Sequence, residues 1–149
     1  MTISLKEVTR ETLRAVCRLD AADGATQVAP NAVSIAEASF YDEAWFRAIY
    51  DDDALIGFLM LYDPTLAQNP DEPDFFLWRL MIDKAHQRRR LGHAAVNLLI
   101  DHVRTRPGAK KLLVSHMSQA DALARFYGSF GFVYTGEEED GEKVMVLEL

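Results

Sequence analysis

The sequence predicts an α/β fold in which one sheet of about six or seven strands is flanked by about four helices. Segments with strand-like and helix-like spacing of apolar residues follow each other in the order strand, two helices, three strands, helix, strand, helix, two strands. A strand–helix–strand crossover in the middle of the chain requires helices on the faces of the sheet. The 149 residues are enough for one core and too few for two ordinary ones. We therefore expect a single domain over residues 1–149.

The amino-terminal half predicts a strand, two helices and a hairpin, in that order. Weak alternation of apolar residues indicates the strand, and apolar residues at helical spacing indicate the first helix. The sequence Ser34-Ile-Ala-Glu37 has the capping-box pattern that starts a helix, and the acidic turn Asp51-Asp52-Asp53 separates the two strands of the hairpin. Three prolines and three aspartates in the next segment predict an exposed loop. The expected bounds are 2–8 and 9–21, a helix from Ser34, strands at 45–50 and 54–62, and a loop at 63–74.

The carboxyl-terminal half predicts a buried strand, the crossover helix, a short strand, a last helix and a closing hairpin. Nearly continuous apolar sequence is typical of a strand covered on both faces. Pro107-Gly108 ends the crossover helix, Ser118 can cap the last helix, and Asp140-Gly141 is a strong hairpin turn. The expected bounds are strands at 75–82, 111–115, 132–135 and 143–147, and helices from about Arg90 to Arg104 and from Ser118 to near Gly131.

Composition excludes several classes of protein. The net charge of −7, from 16 basic and 23 acidic residues, argues against a nucleic-acid partner, which requires a broad basic field. No run of 18 apolar residues is present, so we expect no membrane span, and the first residues lack the pattern of a signal peptide. The lone Cys17 excludes an internal disulfide and is typical of a reducing compartment. We therefore expect a cytoplasmic protein.

Three consecutive arginines stand where the crossover helix should begin. Cations are disfavoured at a helix amino terminus, because its free N–H groups already carry partial positive charge. An anionic ligand would resolve this conflict, since helix-start amides bind phosphate and arginines can close around it. Gly92 allows close approach of the backbone, and a nucleotide-like pyrophosphate is the natural guest. A solvated basic turn is the alternative interpretation, and neither a Walker A pattern nor a Gly-x-Gly-x-x-Gly pattern is present.

A second segment completes a recognisable pair of motifs. Gln87-x-x-x-x-Gly92 entering a helix is followed by Phe126-Tyr127-x-x-x-Gly131-Phe132. This pair resembles the GCN5-related N-acetyltransferases, the GNAT family, over nearly the whole chain. The resemblance implies a mixed, mostly antiparallel central sheet and an enzyme that uses acetyl-CoA as its cosubstrate and no metal.

The resemblance also implies where acetyl-CoA binds. The backbone amides of Arg88, Arg89, Arg90, Leu91, Gly92 and His93 would hold the pyrophosphate. The strand Leu80-Met81-Ile82 would pair with the pantetheine arm as an added strand does. The chain departs from the family pattern at two positions: Arg90 replaces the first glycine of the loop, and Ala120 replaces an asparagine that often contacts the cofactor.

Tyr127 aligns with the family tyrosine that protonates the departing CoA thiolate. A phenol with a pKa of about 10 can donate to such a thiolate without a large energetic cost; a core aromatic role is the alternative. No nucleophile is evident, so we expect direct transfer in a ternary complex. The general base is left open between His116 and a water chain, because a strand-end histidine is also typically solvent-facing.

The chain is similar to the bacterial spermine/spermidine acetyltransferase branch through Val28–Ala38, Ile49-Tyr50, Ile56-Gly-Phe58 and Trp78–Asp83, and through Gly141–Val146 at its end. The resemblance implies a polyamine substrate, which requires spaced carboxylates and aromatic walls. We expect Glu37 and Trp78 to bind it, helped by residues from the set Tyr41, Asp42, Glu43, Trp45 and Phe76.

Two alternatives remain open at this point. The acceptor could be another amine, such as an amino acid, an aminoglycoside or a protein N-terminus. The chain could instead be a non-catalytic acetyl-CoA-binding regulatory domain. A homodimer is expected from relatives alone.

Overall fold

A computed structural model describes residues 2–21, 29–87, 89–117 and 120–149. Within this part of the chain, seven strands and four α-helices follow one another in the order expected from the sequence. The strands are β1 (Ile3–Lys6), β2 (Ala44–Asp51), β3 (Ala54–Tyr62), β4 (Phe75–Ile82), β5 (Lys111–Met117), β6 (Val133–Glu139) and β7 (Glu142–Glu148). The helices are α1 (Leu13–Arg18), α2 (Asn31–Ala38), α3 (Leu91–Arg104) and α4 (Asp121–Gly128).

The strands form one mixed sheet in the order β1-β2-β3-β4-β5-β7-β6. Neighbouring strands are antiparallel except β4 and β5, which the α3 crossover joins in parallel. The predicted α/β fold with a mostly antiparallel sheet is therefore confirmed. Both hairpin turns lie where expected: Asp140 and Gly141 have φ of 51° and 80°, the left-handed pair that a two-residue turn requires.

Helices cover both faces of the sheet. The apolar stripe of α3, which includes Leu91, Val96 and Leu99, packs with Leu59 and Leu77 in the larger core cluster. Full burial of each such side chain stabilises the fold by about 2 kcal/mol. On the opposite face, α1 and α2 pack over a smaller cluster that includes Phe58, Met60 and Met81. None of the helices in the described ranges is long and apolar enough to cross a bilayer.

The amino-terminal helices differ from the sequence expectation. Helix α1 is shorter than residues 9–21, because Thr9 and Thr12 form a hydrogen-bonded turn before Leu13. Helix α2 begins at Asn31 with Pro30 at its N-cap, so the capping box predicted at Ser34 is wrong. Ser34 lies buried inside the helix, and the Asn31 side chain ties the helix start to the Val16 carbonyl at 2.9 Å.

The predicted exposed loop over residues 63–74 is wrong at its beginning. Asp63 is fully buried, accepts hydrogen bonds from the Thr65 N–H and hydroxyl at 2.8 and 2.6 Å, and pairs with Arg106 at 3.0 Å. A 3-10 turn at Pro64–Leu66 follows. The polar composition of this segment predicted exposure. An aspartate can nevertheless be buried when an arginine from a distant segment pairs with its charge.

The last helix also begins differently from expectation. Ala120 is the N-cap of α4 and contributes no side-chain hydrogen bond. The cap predicted at Ser118 is therefore wrong, and Ser118 itself lies outside the described residues. The helix ends at Gly128, three residues before the expected Gly131.

Two glycines near the end of β4 have opposite packing requirements. A Cβ at Gly57 would lie 2.5 Å from the Met81 carbonyl oxygen, so the close approach of β3 to β4 requires glycine there. A Cβ at Gly92, in the first turn of α3, would meet Ile82 and Phe126 at an ordinary 3.7 Å. The protein's own packing therefore does not require Gly92, and the close approach of a ligand expected at this glycine stays a prediction.

We expect Gly57→Ala and Gly92→Ala to shift stability in opposite directions. Gly57→Ala must separate two backbones and should destabilise the fold by about 2 kcal/mol or more. Gly92→Ala restricts the unfolded chain without a clash and should stabilise it by about 0.5 kcal/mol. Urea denaturation of both variants measures the two changes, and a destabilising Gly92→Ala would contradict the account of this turn.

Candidate active site

The parallel strands β4 and β5 pair only briefly and then diverge. Among the described residues, their pairing is limited to Phe75 with Leu112 and Phe76 with Leu113. Beyond this point lies a cleft of about 500 Å³. Its walls are residues 76–80 of β4, residues 114–117 of β5, Tyr127 of α4, and Glu139, Asp140 and Glu142 of the last hairpin.

A β-bulge in β4 shapes one wall of the cleft. Leu61 pairs with Leu77 and Met60 with Arg79, so Trp78 is the extra residue. A bulge strengthens the local twist and re-aims side chains. Trp78 packs on the α2 side of the sheet, where its ring meets Tyr41 edge-on with centroids 5.1 Å apart. Arg79 binds Glu37 of α2, with Nη2 and Oε1 3.1 Å apart.

Beyond the bulge, β4 directs backbone groups into the cleft. The Asp83 N–H donates to the Ile56 carbonyl of β3 at 2.7 Å. In a trans peptide the carbonyl points the opposite way, so the Ile82 carbonyl faces the side from which β5 has departed. By the two-residue alternation of a strand, Leu80 and Ile82 direct their backbone groups to this side, and Met81 directs its groups to β3.

The basic segment leads from the end of β4 into α3. Arg88 lies outside the described residues, Arg89 is exposed, and Arg90 is the N-cap of α3. Arg90 has a φ of 62°, the left-handed conformation that costs a non-glycine residue about 1 kcal/mol. The helix begins one residue later than expected, with Leu91 buried and with Gly92 and His93 half-buried. The position that favours glycine in this turn therefore holds Arg90.

Tyr127 is buried at the side of the cleft. Its ring packs edge-on against Phe126 and Phe132, at centroid distances of 5.1 and 5.6 Å. Burial raises the pKa of the Tyr127 hydroxyl well above its ordinary value, so the group stays protonated at neutral pH. Within the described part of the chain, the hydroxyl has no hydrogen-bond partner. Tyr127 is thus a core aromatic and a free proton donor at the same time.

His116 is not the solvent-facing residue that its place at a strand end suggested. It is buried, with 2% of its surface exposed. Its Nδ1 lies 2.6 Å from the Met117 carbonyl, which can only accept, so Nδ1 carries the hydrogen. In the neutral ring Nε2 then accepts from the Tyr134 hydroxyl at 2.9 Å. Protein groups contact both ring nitrogens, so neither is left open for direct contact with a substrate.

The structure separates the expected amine-binding residues. Glu43 is buried and accepts from the Asp71 N–H at 3.1 Å and the Tyr62 hydroxyl at 3.0 Å. The Asp71 N–H is the main cause that holds the pKa of the Glu43 carboxyl below its ordinary value. Trp45 stacks on His102 of α3, at a centroid distance of 4.0 Å, on the opposite face of the sheet from Trp78.

The remaining members lie close to the cleft or at the surface. Phe76 and Trp78 line the cleft, and Tyr41 contacts Trp78 from α2's side. Asp42 is exposed. Glu37 forms an ion pair with Arg79. It does not cap α2, although the capping-box pattern had predicted that it would.

A smaller acidic chamber of about 230 Å³ adjoins the cleft, and Phe76, Trp78 and Glu139 line both. Its other lining residues are Tyr62, Glu72, Pro73, Asp74 and Leu113. Asp74 is 3.7 Å from Lys111. Sequence reasoning missed Glu72, Asp74 and Glu139, because a loop and a hairpin far apart in the chain supply them. The sequence signal that could have predicted this chamber was the number of acidic residues beside the ends of the central strands.

Comparison with known proteins agrees with this geometry. The model of the acetyltransferase (GNAT) family matches residues 15–132. A Bacillus subtilis subsp. natto protein described as a probable spermine N(1)-acetyltransferase is 34% identical over 104 residues, which are 68% of each chain. The fold is also that of a GNAT acetyltransferase from Elizabethkingia anophelis with acetyl-CoA bound, at a TM-score of 0.70 and 14% identity over 99% of this chain and 97% of the other.

A further structural neighbour is the PaiA N-acetyltransferase from Thermoplasma acidophilum in complex with coenzyme A. It matches at a TM-score of 0.69 and 16% identity, with both chains fully covered. At these identities the solved structures establish the fold, and the family match establishes the membership. The chain belongs to the GNAT acetyltransferase family and is an N-acetyltransferase.

Proposed function

We propose that this enzyme transfers the acetyl group of acetyl-CoA to a primary amine of a polyamine, such as spermidine or spermine, directly within a ternary complex. The observation that carries the proposal is the acidic, aromatic-walled chamber that opens from the cleft beside Tyr127. The relative described as a probable spermine N(1)-acetyltransferase supports the same substrate class.

Groups in the cleft and at the adjoining start of α3 support the use of acetyl-CoA. The outward-facing backbone groups of Leu80 and the N–H of Ile82 can pair with an amide-containing arm as they would with an added strand. The free N–H groups at the start of α3 favour an anion, and the neighbouring Arg89 and Arg90 add positive charge. In this proposal the amides from Arg88 to His93 hold the pyrophosphate, and the left-handed Arg90 lets those amides converge. Acetyl-CoA supplies the activated acetyl group as a thioester.

Two groups of the chain then assist the transfer. A β4 N–H, at Leu80 or Ile82, polarises the carbonyl by donating a hydrogen bond to its oxygen. The Tyr127 hydroxyl donates its proton to the sulfur that leaves. Burial raises the pKa of this hydroxyl and makes it a weaker acid than a free phenol, and the same apolar surroundings raise the proton affinity of the leaving thiolate. Protein groups contact both nitrogens of His116. We therefore propose that a water chain accepts the proton that the ammonium substrate loses, and that this chain leads toward Glu139, Asp140 and Glu142.

Replacing Tyr127 by phenylalanine removes this proton donor with little change in shape. We expect kcat to fall about a hundredfold or more, while the Kd for CoA stays within about threefold. Steady-state kinetics and calorimetry measure the two quantities. Tyr50→Phe, which deletes the same hydroxyl from β2, is the matched control and should leave both values unchanged. Normal turnover by Tyr127→Phe would refute the assignment of the acid.

The chamber suits the distal part of a polyamine. Polyamines carry several positive charges on apolar spacers, which match carboxylates set beside aromatic walls. Trp78 and Phe76 supply the walls, and Glu72 and Glu139 supply carboxylates that form no ion pair with another described residue. Glu37 is proposed to assist from α2, where it already neutralises Arg79.

Neutralising the chamber should weaken polyamine binding selectively. In Glu72→Gln combined with Glu139→Gln, we expect the KM for spermidine to rise about tenfold, because each carboxylate contributes less than about 1 kcal/mol. The KM for an alkyl monoamine of similar length should stay the same. Glu138→Gln, one residue along β6 and outside the chamber, is the control. Equal KM changes for both amines, or none, would contradict the polyamine assignment.

A further inference from the structure

The segment that follows β4 is tied to the end of α1, far away in the sequence. The Asp20 N–H donates to the Asp83 carboxylate at 2.9 Å, and the Lys84 N–H donates to the Asp20 carbonyl at 2.7 Å. The Lys84 ammonium lies 3.3 Å from the Asp20 carboxylate. The Asp83 carboxylate also accepts from the Ala85 N–H at 3.2 Å, which starts the 3-10 turn Lys84–His86. We name this set of contacts between residues 20–21 and 83–87 the latch.

Gln87 closes the latch with its side chain. Its Nε2 donates to the Ala21 carbonyl at 2.6 Å and to the Ile82 carbonyl at 2.9 Å. An amide nitrogen has two hydrogens, so one group satisfies both acceptors at once. The Ile82 carbonyl is the one that faces the open side of β4. Gln87 therefore occupies the last backbone acceptor at this end of the cleft.

This geometry fixes two features of the cleft without any contact to the reacting atoms. First, the chain is held at Gln87, immediately before the basic segment that leads to the left-handed Arg90 and α3. The latch thus sets the direction from which that segment enters the helix. Second, with the Ile82 carbonyl already engaged, a ligand that pairs with β4 finds its first free acceptor at Leu80. The side-chain amide of Gln87 therefore marks the end of the β4 backbone groups with which a ligand can pair.

We propose that Gln87 is a positioning residue, whose side-chain amide holds the start of the diphosphate segment against the end of β4 and thereby sets the affinity for acetyl-CoA. The inference rests on the proposed use of acetyl-CoA. It assigns to Gln87 a role distinct from that of the backbone amides of the same segment, because the side chain acts on the protein's own carbonyls. The donor character of the amide is the property that matters.

Three variants at Gln87 separate its donor character from its size. Gln87→Ala removes the amide, and Gln87→Glu places a carboxylate against two carbonyl oxygens at nearly the same size. We expect the Kd for acetyl-CoA, measured by calorimetry well below the unfolding temperature, to rise about tenfold in both. The KM for acetyl-CoA should rise in parallel while kcat at saturation stays within about twofold. Gln87→Arg restores N–H donors and should bring the Kd back to within about threefold of wild type.

Gln68→Glu, the same charge change in the exposed 63–74 segment, is the control and should leave the Kd unaltered. Wild-type affinity in Gln87→Ala and Gln87→Glu would overturn the positioning role. Failure of Gln87→Arg to restore affinity would overturn the claim that the donor is what matters. If the wild-type protein itself does not bind acetyl-CoA, both the proposed function and this inference fall, whereas binding that ignores Gln87 overturns the inference alone.

Discussion

The architecture of the active site depends on the parallel pairing of β4 with β5 over only two residues from each strand. Each strand is firmly held on its other side. β4 follows β3 along most of its length, and β5 pairs with β7 from Lys111 to Met117. The bulge at Trp78 lies just beyond the last pair of β4 with β5, and the side chain of Tyr127 lines the space between the two strands. The sheet therefore contains an open edge in its middle, in addition to the outer edges of β1 and β6.

An open edge inside a sheet carries a cost that a ligand can offset. Backbone N–H and carbonyl groups that leave water require partners, so groups directed into the cleft favour a molecule with amides of its own. The latch at Gln87 satisfies one of these groups with a side chain and leaves the others available. In the proposed complex, an extended molecule would be bound through the main chain of β4, with the Gln87 side chain holding the segment beside it.

Charge is distributed unevenly around the cleft. The start of α3 brings arginines to a helix amino terminus, which favours an anion. The last hairpin and the segment before β4 bring carboxylates to the chamber, which favours a cation. The net charge of −7 argues against a broad basic field, but it does not reveal that basic and acidic groups lie in different places around the site. The two substrates proposed for the enzyme carry opposite charges and would reach opposite ends of the same cleft.

Sequence reasoning predicted the elements well and the side-chain environments poorly. Local rules decided the element order and the hairpin at Asp140-Gly141, and the resemblance to the GNAT family pointed to the motif around Tyr127. At Ser34 another local signal prevailed, because Pro30 starts α2 earlier in the chain. A tertiary contact overrode the local rule at Asp63, because Arg106 reaches it from beyond α3. The burial of His116 and the chamber built by Glu72 and Glu139 depend on strand neighbours that are distant in sequence. No local pattern contains that information.

Amide hydrogen exchange on labelled protein, with and without saturating acetyl-CoA, tests the central claim most directly. The free edge of β4 predicts fast exchange at Leu80 and Ile82 in the free protein and much slower exchange in the complex. Met81, whose backbone is directed to β3, should exchange slowly in both states. If calorimetry shows binding while Leu80 and Ile82 keep their exchange rates, the ligand does not pair with β4, and the account of this cleft is wrong.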